Sequence, residues 1–374
     1  MKNKVTNIYY ILFILVGMMA GLLGPLIPYL SERANISIAK AGGFLSLFAI
    51  GFMTGAYLSD RILLLSKPSR AIAFLLLLFG LEMGLFYISS AYAIYLLLSF
   101  LLGATQGVIN SSGNSIMLKV WKEEAGPKIT TLHFFYGVGN IIIPLLIVGS
   151  AIYLRNDSYI FLLLVLISLP LAFTLFYNQI PKSKESEKDK ILYDKRSPYF
   201  LIFLSLFALY VGIELTIGGW ITTYGILKGT DKDTAKTLPS IFWGFLTLGR
   251  LLLIYVIKVV PDRKILFSAS ILAIVSSSIL LLDSTFGIYL APALIGLSVS
   301  VYFPTLYSYG SKFYNLEGRN TGFIFISAGV GGVSMPYITG LFIEYFGALS
   351  LSYIIVLLLT IWFLIFFGLN KRLR

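Results

Sequence analysis

The sequence predicts an all-α polytopic membrane protein in which twelve transmembrane helices form two pseudo-symmetric six-helix bundles. Three observations carry this expectation. Apolar runs of about 20 residues, each long enough to cross a hydrocarbon core, recur along a 374-residue chain that is 57% hydrophobic and only 12% charged. Lysine and arginine are concentrated in alternate connecting segments, and a glycine-proline pattern returns after 192 residues. A soluble domain would carry about a quarter charged residues, and a transmembrane β-barrel would show shorter, alternating segments.

The first six spans are expected at residues 8–30, 40–62, 71–89, 92–118, 129–153 and 158–178. Span one follows Lys2 and Lys4, holds Gly17, Gly21, Gly24, Pro25 and Pro28, and lacks a small-residue cleavage site. It reads as a retained helix rather than a signal peptide. Span two ends on Asp60 and Arg61. Span three contains Glu82, for which no local partner is visible and a structural role is expected. Span four carries Gln106, Asn110 and Asn114, spaced by four and so on one helical face. Span five carries His133, Tyr136, Gly137, Asn140 and Pro144, again one face, and His133 is the single histidine of the chain.

Residues 179–197 are the one long hydrophilic stretch, a mixture of lysine and acidic residues without apolar periodicity. They are expected to form a cytoplasmic linker between an N-terminal bundle (1–178) and a C-terminal bundle (198–374). The second set of spans is expected at 198–224, 238–258, 264–283, 287–311, 320–345 and 348–369. Glu214 and Arg250 are buried charges of spans seven and eight, a pair either bridged for stability or exchanging partners during a transport cycle. Trp220, Tyr224 and Trp243 lie near them in sequence, and span ten offers Tyr302, Thr305 and Tyr309.

Charge sets the topology. The termini, alternate loops and the span ends beside them hold 22 lysines and arginines, the remaining loops and span ends 6, and Arg250 alone lies in the interior of a span. By the positive-inside rule the richer set, with both termini, faces the cytoplasm. The net charge of +12 is thereby assigned to topology and anionic lipid, and no nucleic-acid partner is expected.

The repeat supports a duplication. Gly126, Gly137, Val138, Gly139 and Pro144 recur as Gly318, Gly329, Val330, Gly331 and Pro336, in spans five and eleven. Parallel repeats of six spans imply two bundles around a central cavity.

These features together resemble the major facilitator superfamily over essentially the whole chain. Its loop signature after span two is matched in part, by Gly55, Asp60, Arg61 and Arg70, which makes Asp60 and Arg61 gating candidates. The runs Gln106–Asn114 and Leu132–Gly139 with Pro144, then Tyr210–Glu214 with Gly218, Gly219, Trp220 and Tyr224, and finally Phe242–Gly244 with Gly249 and Arg250, resemble the fucose permease and sodium-dependent glucose transporter branch. Members of the fucose permease branch carry a carboxylate at the position of Asn110, and some carry another in span one. Here the first is an amide and span one has no acid between Lys4 and Ser31. Proton coupling through those positions is therefore unsupported, which favours a sodium-coupled or uncoupled carrier.

The functional expectation is a secondary active or facilitative transporter of a small neutral hydroxylated solute, a monosaccharide, by alternating access. Amides both donate and accept, as sugar hydroxyls require. Gln106, Asn110, Asn114, His133, Tyr136, Asn140, Glu214, Trp220, Trp243 and Tyr302 are the expected substrate-binding residues. His133, Glu214, Arg250, Asp60 and Arg61 are the coupling or gating candidates, with a proton or sodium ion as the coupled partner. The alternative is a proton-driven efflux carrier for hydrophobic compounds. No enzyme, cofactor or metal site is expected: the chain has no cysteine, one histidine, no P-loop spacing and no hydrophilic loop with converging carboxylates. One chain holds both bundles, so a monomer suffices.

Overall fold

The structure is a computed structural model that describes residues 2–178, 198–282, 284–314, 316 and 319–372; the side chains of residues 123, 198, 285 and 319–321 lie outside the description. The linker expected at 179–197 and the repeat residue Gly318 fall outside it as well. Among the described residues there is helix and turn but no strand.

The chain clusters into two compact units, Met1–Glu185 and Ser186–Arg374. The first contains α1 (Lys2–Gly21), α2 (Leu23–Ala34), α3 (Ile38–Leu64), α4 (Pro68–Ile88), α5 (Tyr92–Trp121), α6 (Ala125–Leu154) and α7 (Tyr159–Tyr177). The second contains α8 (Pro198–Leu227), the short α9 (Lys232–Ala235), α10 (Leu238–Val256), α11 (Asp262–Ser278), α12 (Thr285–Val299), α13 (Tyr302–Gly310), α14 (Arg319–Phe346) and α15 (Leu349–Arg372). Twelve helical segments among the described residues are long and apolar enough to cross a membrane, and each overlaps one of the expected spans. The protein is a multi-pass membrane protein.

Two expected spans are interrupted, for the same reason. Span one breaks at Leu22 between α1 and α2, and span ten breaks at Ser300 and Val301 between α12 and α13. Each break begins three or four residues before a proline, Pro25 and Pro304. Proline has no N–H to offer the carbonyl four residues back, so the ladder loses its bond at Gly21 and at Ser300. Pro144 and Pro336 lie within continuous helices instead.

Packing repeats between the units. In the first, α1 pairs with α6, α3 with α5, and α4 with α7; in the second, α8 pairs with α14, α10 with α12, and α11 with α15. Counted as spans, these are the same three pairings six spans apart. The repeat glycines stand at equivalent contacts. A Cβ added at Gly139 would lie 2.0 Å from the Ile14 carbonyl oxygen of α1, and one at Gly331 would lie 1.8 Å from the Ala208 carbonyl oxygen of α8. Without a hydrophobic drive between helices in lipid, such close backbone approach is a main source of cohesion. A second equivalence, not visible in the sequence repeat, joins Gly103 to Phe48 and Gly296 to Phe242, where a Cβ would meet a carbonyl oxygen at 2.0 and 2.3 Å.

Candidate functional site

Polar groups at membrane depth need a partner or a wet surface, and the two units satisfy that need differently. In the first unit the span-four stripe divides. Gln106 is 2% exposed; its Nε2 donates to the Val16 carbonyl of α1 at 3.4 Å, while its Oε1 is buried without a hydrogen-bond partner. Asn110 and Asn114 are half-buried. Asn114 Nδ2 donates both to the Asn110 carbonyl at 3.0 Å and to its Oδ1 at 3.3 Å. The upper stripe thus ties helices together, and the lower stripe keeps accessible amide surface.

The face of α6 divides in the same way. Asn140 is wholly buried, with Nδ2 donating to the Tyr136 carbonyl at 3.1 Å and Oδ1 unpartnered. His133 and Tyr136 are half-buried and stand edge to face, with ring centroids 6.4 Å apart. Phe13 of α1, a residue that sequence reasoning passed over, connects the two faces. Its ring meets His133 edge-on at 6.1 Å and occupies the space beside Gly113, where a Cβ would lie 2.2 Å from it. Gly113, next to Asn114 in the polar stripe, was the available signal for a bulky neighbour. Tyr9, one turn earlier on α1, donates to Ser112 at 3.4 Å.

In the second unit Arg250 and Glu214 meet. Arg250 Nη2 donates to Glu214 Oε1 at 3.3 Å and to the Tyr210 hydroxyl at 3.2 Å, and the Tyr210 and Glu214 side chains also hydrogen-bond. Their side chains are 30% and 12% exposed for Arg250 and Glu214 respectively, so this pair is partly open rather than sealed. Tyr210 was absent from the expected site. It lies one helical turn from Glu214 on α8, a spacing that places both on one face. Behind it, Tyr210 packs on Tyr302 at 5.9 Å, Tyr302 stacks on Trp362 at 4.2 Å, and Trp362 Nε1 donates to the Leu206 carbonyl at 3.0 Å.

Of the remaining candidates, the aromatic residues and Arg61 have packing partners. Trp220 is wholly buried; its Nε1 donates to the Pro336 carbonyl at 2.8 Å, and its ring fills the space a Cβ at Gly340 would need. That proline carbonyl is an acceptor for the α8–α14 seam. Trp243 is 4% exposed, its ring against Gly218 and edge-on to Phe242. Tyr302 is wholly buried, and the Tyr224 hydroxyl donates to the Leu280 carbonyl. Asp60 and Arg61 are exposed near the end of α3, where Arg61 lies over the Tyr57 ring at 5.3 Å and donates to its hydroxyl at 3.2 Å. Among the described residues no group of three histidine or acidic side chains is placed to hold a metal ion.

Residues 9–333 match the model of the Major Facilitator Superfamily. The chain belongs to that superfamily. Relatives within it are named as sugar carriers. The chain is 26% identical to sodium-dependent glucose transporter 1 of Xenopus laevis, over 87% of this chain and 74% of the relative. It is 25% identical to sodium-dependent glucose transporter 1A of Mus musculus, over 89% and 88%. It is 23% identical to the glucose/mannose transporter GlcP of Bacillus subtilis (strain 168), over 88% and 86%. Among solved structures, a bacterial homolog of the human lysosomal transporter Spinster superposes with a TM-score of 0.77 at 13% identity, covering 99% of this chain and 97% of that one. The nucleoside transporter NupG superposes at 0.71 with 15% identity, covering 99% and 98%. At that identity these two structures establish the major facilitator fold.

Proposed function

We propose that this protein is a carrier for a neutral monosaccharide of the glucose type, working by alternating access in the cell membrane with both termini cytoplasmic. The observation that carries the reading is its similarity, over most of both chains, to relatives in frog, mouse and Bacillus that are named as glucose or glucose/mannose transporters. The chemistry of the first unit supports it. Asn110 and Asn114 offer amide donors and acceptors on a half-buried face, and His133 with Tyr136 adds a ring nitrogen and a phenol, a set suited to hydroxyl groups and unsuited to a charged solute. In the second unit, Glu214 held by Arg250 and Tyr210 supplies a fixed acceptor for a sugar hydroxyl. In this reading Tyr302, packed on Tyr210, backs that acceptor, while Trp220 and Trp243, with little or none of each exposed, serve the packing of the unit. Asp60 and Arg61 remain the gating candidates, and a monomer suffices for the cycle.

The test is uptake of labelled glucose, mannose and fucose into proteoliposomes of the purified protein, with a sodium gradient, a proton gradient or neither. Saturable uptake of glucose or mannose is expected. Absence of movement of any sugar under all three conditions overturns the reading.

A further inference from the structure

One ionisable side chain deep in the first unit belongs to neither polar cluster. Glu82 of α4 is 5% exposed, about 9 Å by helical rise from the Ile88 end of its helix. Its side chain hydrogen-bonds with Thr105 of α5, itself 3% exposed, and its Oε2 is buried with no hydrogen-bond partner.

The helices that pack most extensively on α4, namely α7, α5 and α3, bring Glu82 no cation. The α7 sequence has no aspartate, glutamate, lysine, arginine or histidine; α5 has only Lys119; α3 has Lys40, Asp60 and Arg61 toward its ends. On α4 itself Arg70 lies twelve residues away, about 18 Å along the axis, over the Phe176 ring. Tyr87 on α4, Tyr57 on α3, Tyr92 and Tyr95 on α5, and Tyr159 and Tyr177 on α7 carry phenols rather than cationic groups, with the Tyr95 hydroxyl committed to the Ser89 carbonyl. Arg33 of α2 also reaches α4, donating to the Phe86 carbonyl at 3.4 Å and to Tyr29 at 3.1 Å. Phe86 is a full turn beyond Glu82, and helical side chains lean toward the N-terminus, away from that turn.

A carboxylate buried in hydrocarbon without a cation is far costlier than the neutral acid. We propose that Glu82 is a proton-binding site: a carboxylic acid at rest, it releases its proton to water when the seam between α4 and α5 opens and regains one from the other side of the membrane. Thr105 connects it to the candidate sugar face. Its neighbour Gln106 is hooked to the α1 backbone at Val16, so a shift of α5 against α1 that breaks this contact also moves the hydroxyl facing Glu82. This rests on the reading of the chain as a carrier, and assigns coupling to a residue outside spans one, five and seven.

Two measurements separate this site from structural glue and from failure of the sugar reading. Glu82→Gln preserves shape and the bond to Thr105. In proteoliposomes it is expected to retain glucose exchange without gradients while losing accumulation driven by an imposed proton gradient. Infrared difference spectra of the purified protein between acid and alkaline pH are expected to contain a carboxylic-acid carbonyl band that Glu82→Gln removes and that Thr105→Val, a second variant in case the first folds poorly, shifts in frequency or midpoint. Accumulation by Glu82→Gln equal to wild type overturns the proposal, as does accumulation driven by sodium alone with no proton flux. If no sugar is exchanged even by wild type, the carrier reading fails separately, and the infrared band still decides: its absence, or its persistence in Glu82→Gln, overturns the proton site.

Discussion

Arg250 of α10 reaches across to Glu214 of α8 at 3.3 Å and shares the contact with the Tyr210 hydroxyl. One cation thereby fastens two helices through two acceptors, in a place where neither charge is fully sealed from solvent. Removing only the cation leaves a poorly solvated carboxylate beside a phenol. Arg250→Ala is expected to lower the unfolding free energy by about 1–3 kcal/mol, the cost of orphaning a buried polar group, and to abolish uptake. Replacing both partners, as Glu214→Gln with Arg250→Gln, is expected to recover thermal stability in detergent without recovering transport. Recovery of both would make the pair purely structural; recovery of neither would mean the stability loss arises elsewhere.

Asn114 donates twice to Asn110, so the two amides present one oriented surface. Asn114→Ala removes this orientation and one donor to substrate. A weakening of the half-saturation concentration by about 5- to 10-fold, corresponding to a net hydrogen bond of about 1 kcal/mol, is expected with the maximal rate little changed. Zero-trans uptake kinetics check it, and an unchanged half-saturation concentration removes Asn114 from the site.

The Trp220 indole N–H is spent on the Pro336 carbonyl. Trp220→Phe keeps most of the ring and loses that bond, so the expected effect is a fall in stability of about 1 kcal/mol with sugar affinity preserved. Thermal unfolding and equilibrium binding measured on the same sample separate the two. A large loss of affinity at unchanged stability would restore Trp220 as a substrate-binding residue.

Gly331 and Gly126 form an internal comparison. A Cβ at Gly331 would run into the Ala208 carbonyl, whereas one at Gly126 meets nothing within 4 Å. Gly331→Ala is expected to push α14 from α8 and cost about 1–3 kcal/mol as overpacking. Gly126→Ala is expected to be neutral or slightly stabilising, since alanine favours helix over glycine. Melting temperatures of the two variants in one detergent make the comparison, and similar values would show that the α8–α14 seam accommodates a methyl group.

The twelve spans were legible because hydrocarbon demands long uninterrupted apolar helices, a one-dimensional property that a chain displays openly. The breaks at Leu22 and at Ser300 and Val301 were less so. Proline lies inside α6 and α14 without interrupting them, yet the helix breaks ahead of Pro25 and Pro304, so a proline in the sequence does not by itself mark a break. The candidate polar residues were legible as a list, since each is an expensive exception in an apolar run. Their division was not. Gln106 and Asn114 have the same side-chain chemistry and sit on one helical face, but one ends in a closed helix junction and the other on a half-buried surface.

By itself, then, the sequence determined the element type, the span number, the duplication and the superfamily, because period, length and motif spacing are carried along the chain. The tertiary structure alone decided which polar groups are consumed in holding helices together and which stay available. It sent the Trp220 N–H to a proline carbonyl, drew Tyr210 into the Arg250 contact, put Phe13 beside His133, and left Glu82 facing Thr105. Each of these depends on which helix lies opposite, at a sequence separation that no local pattern encodes.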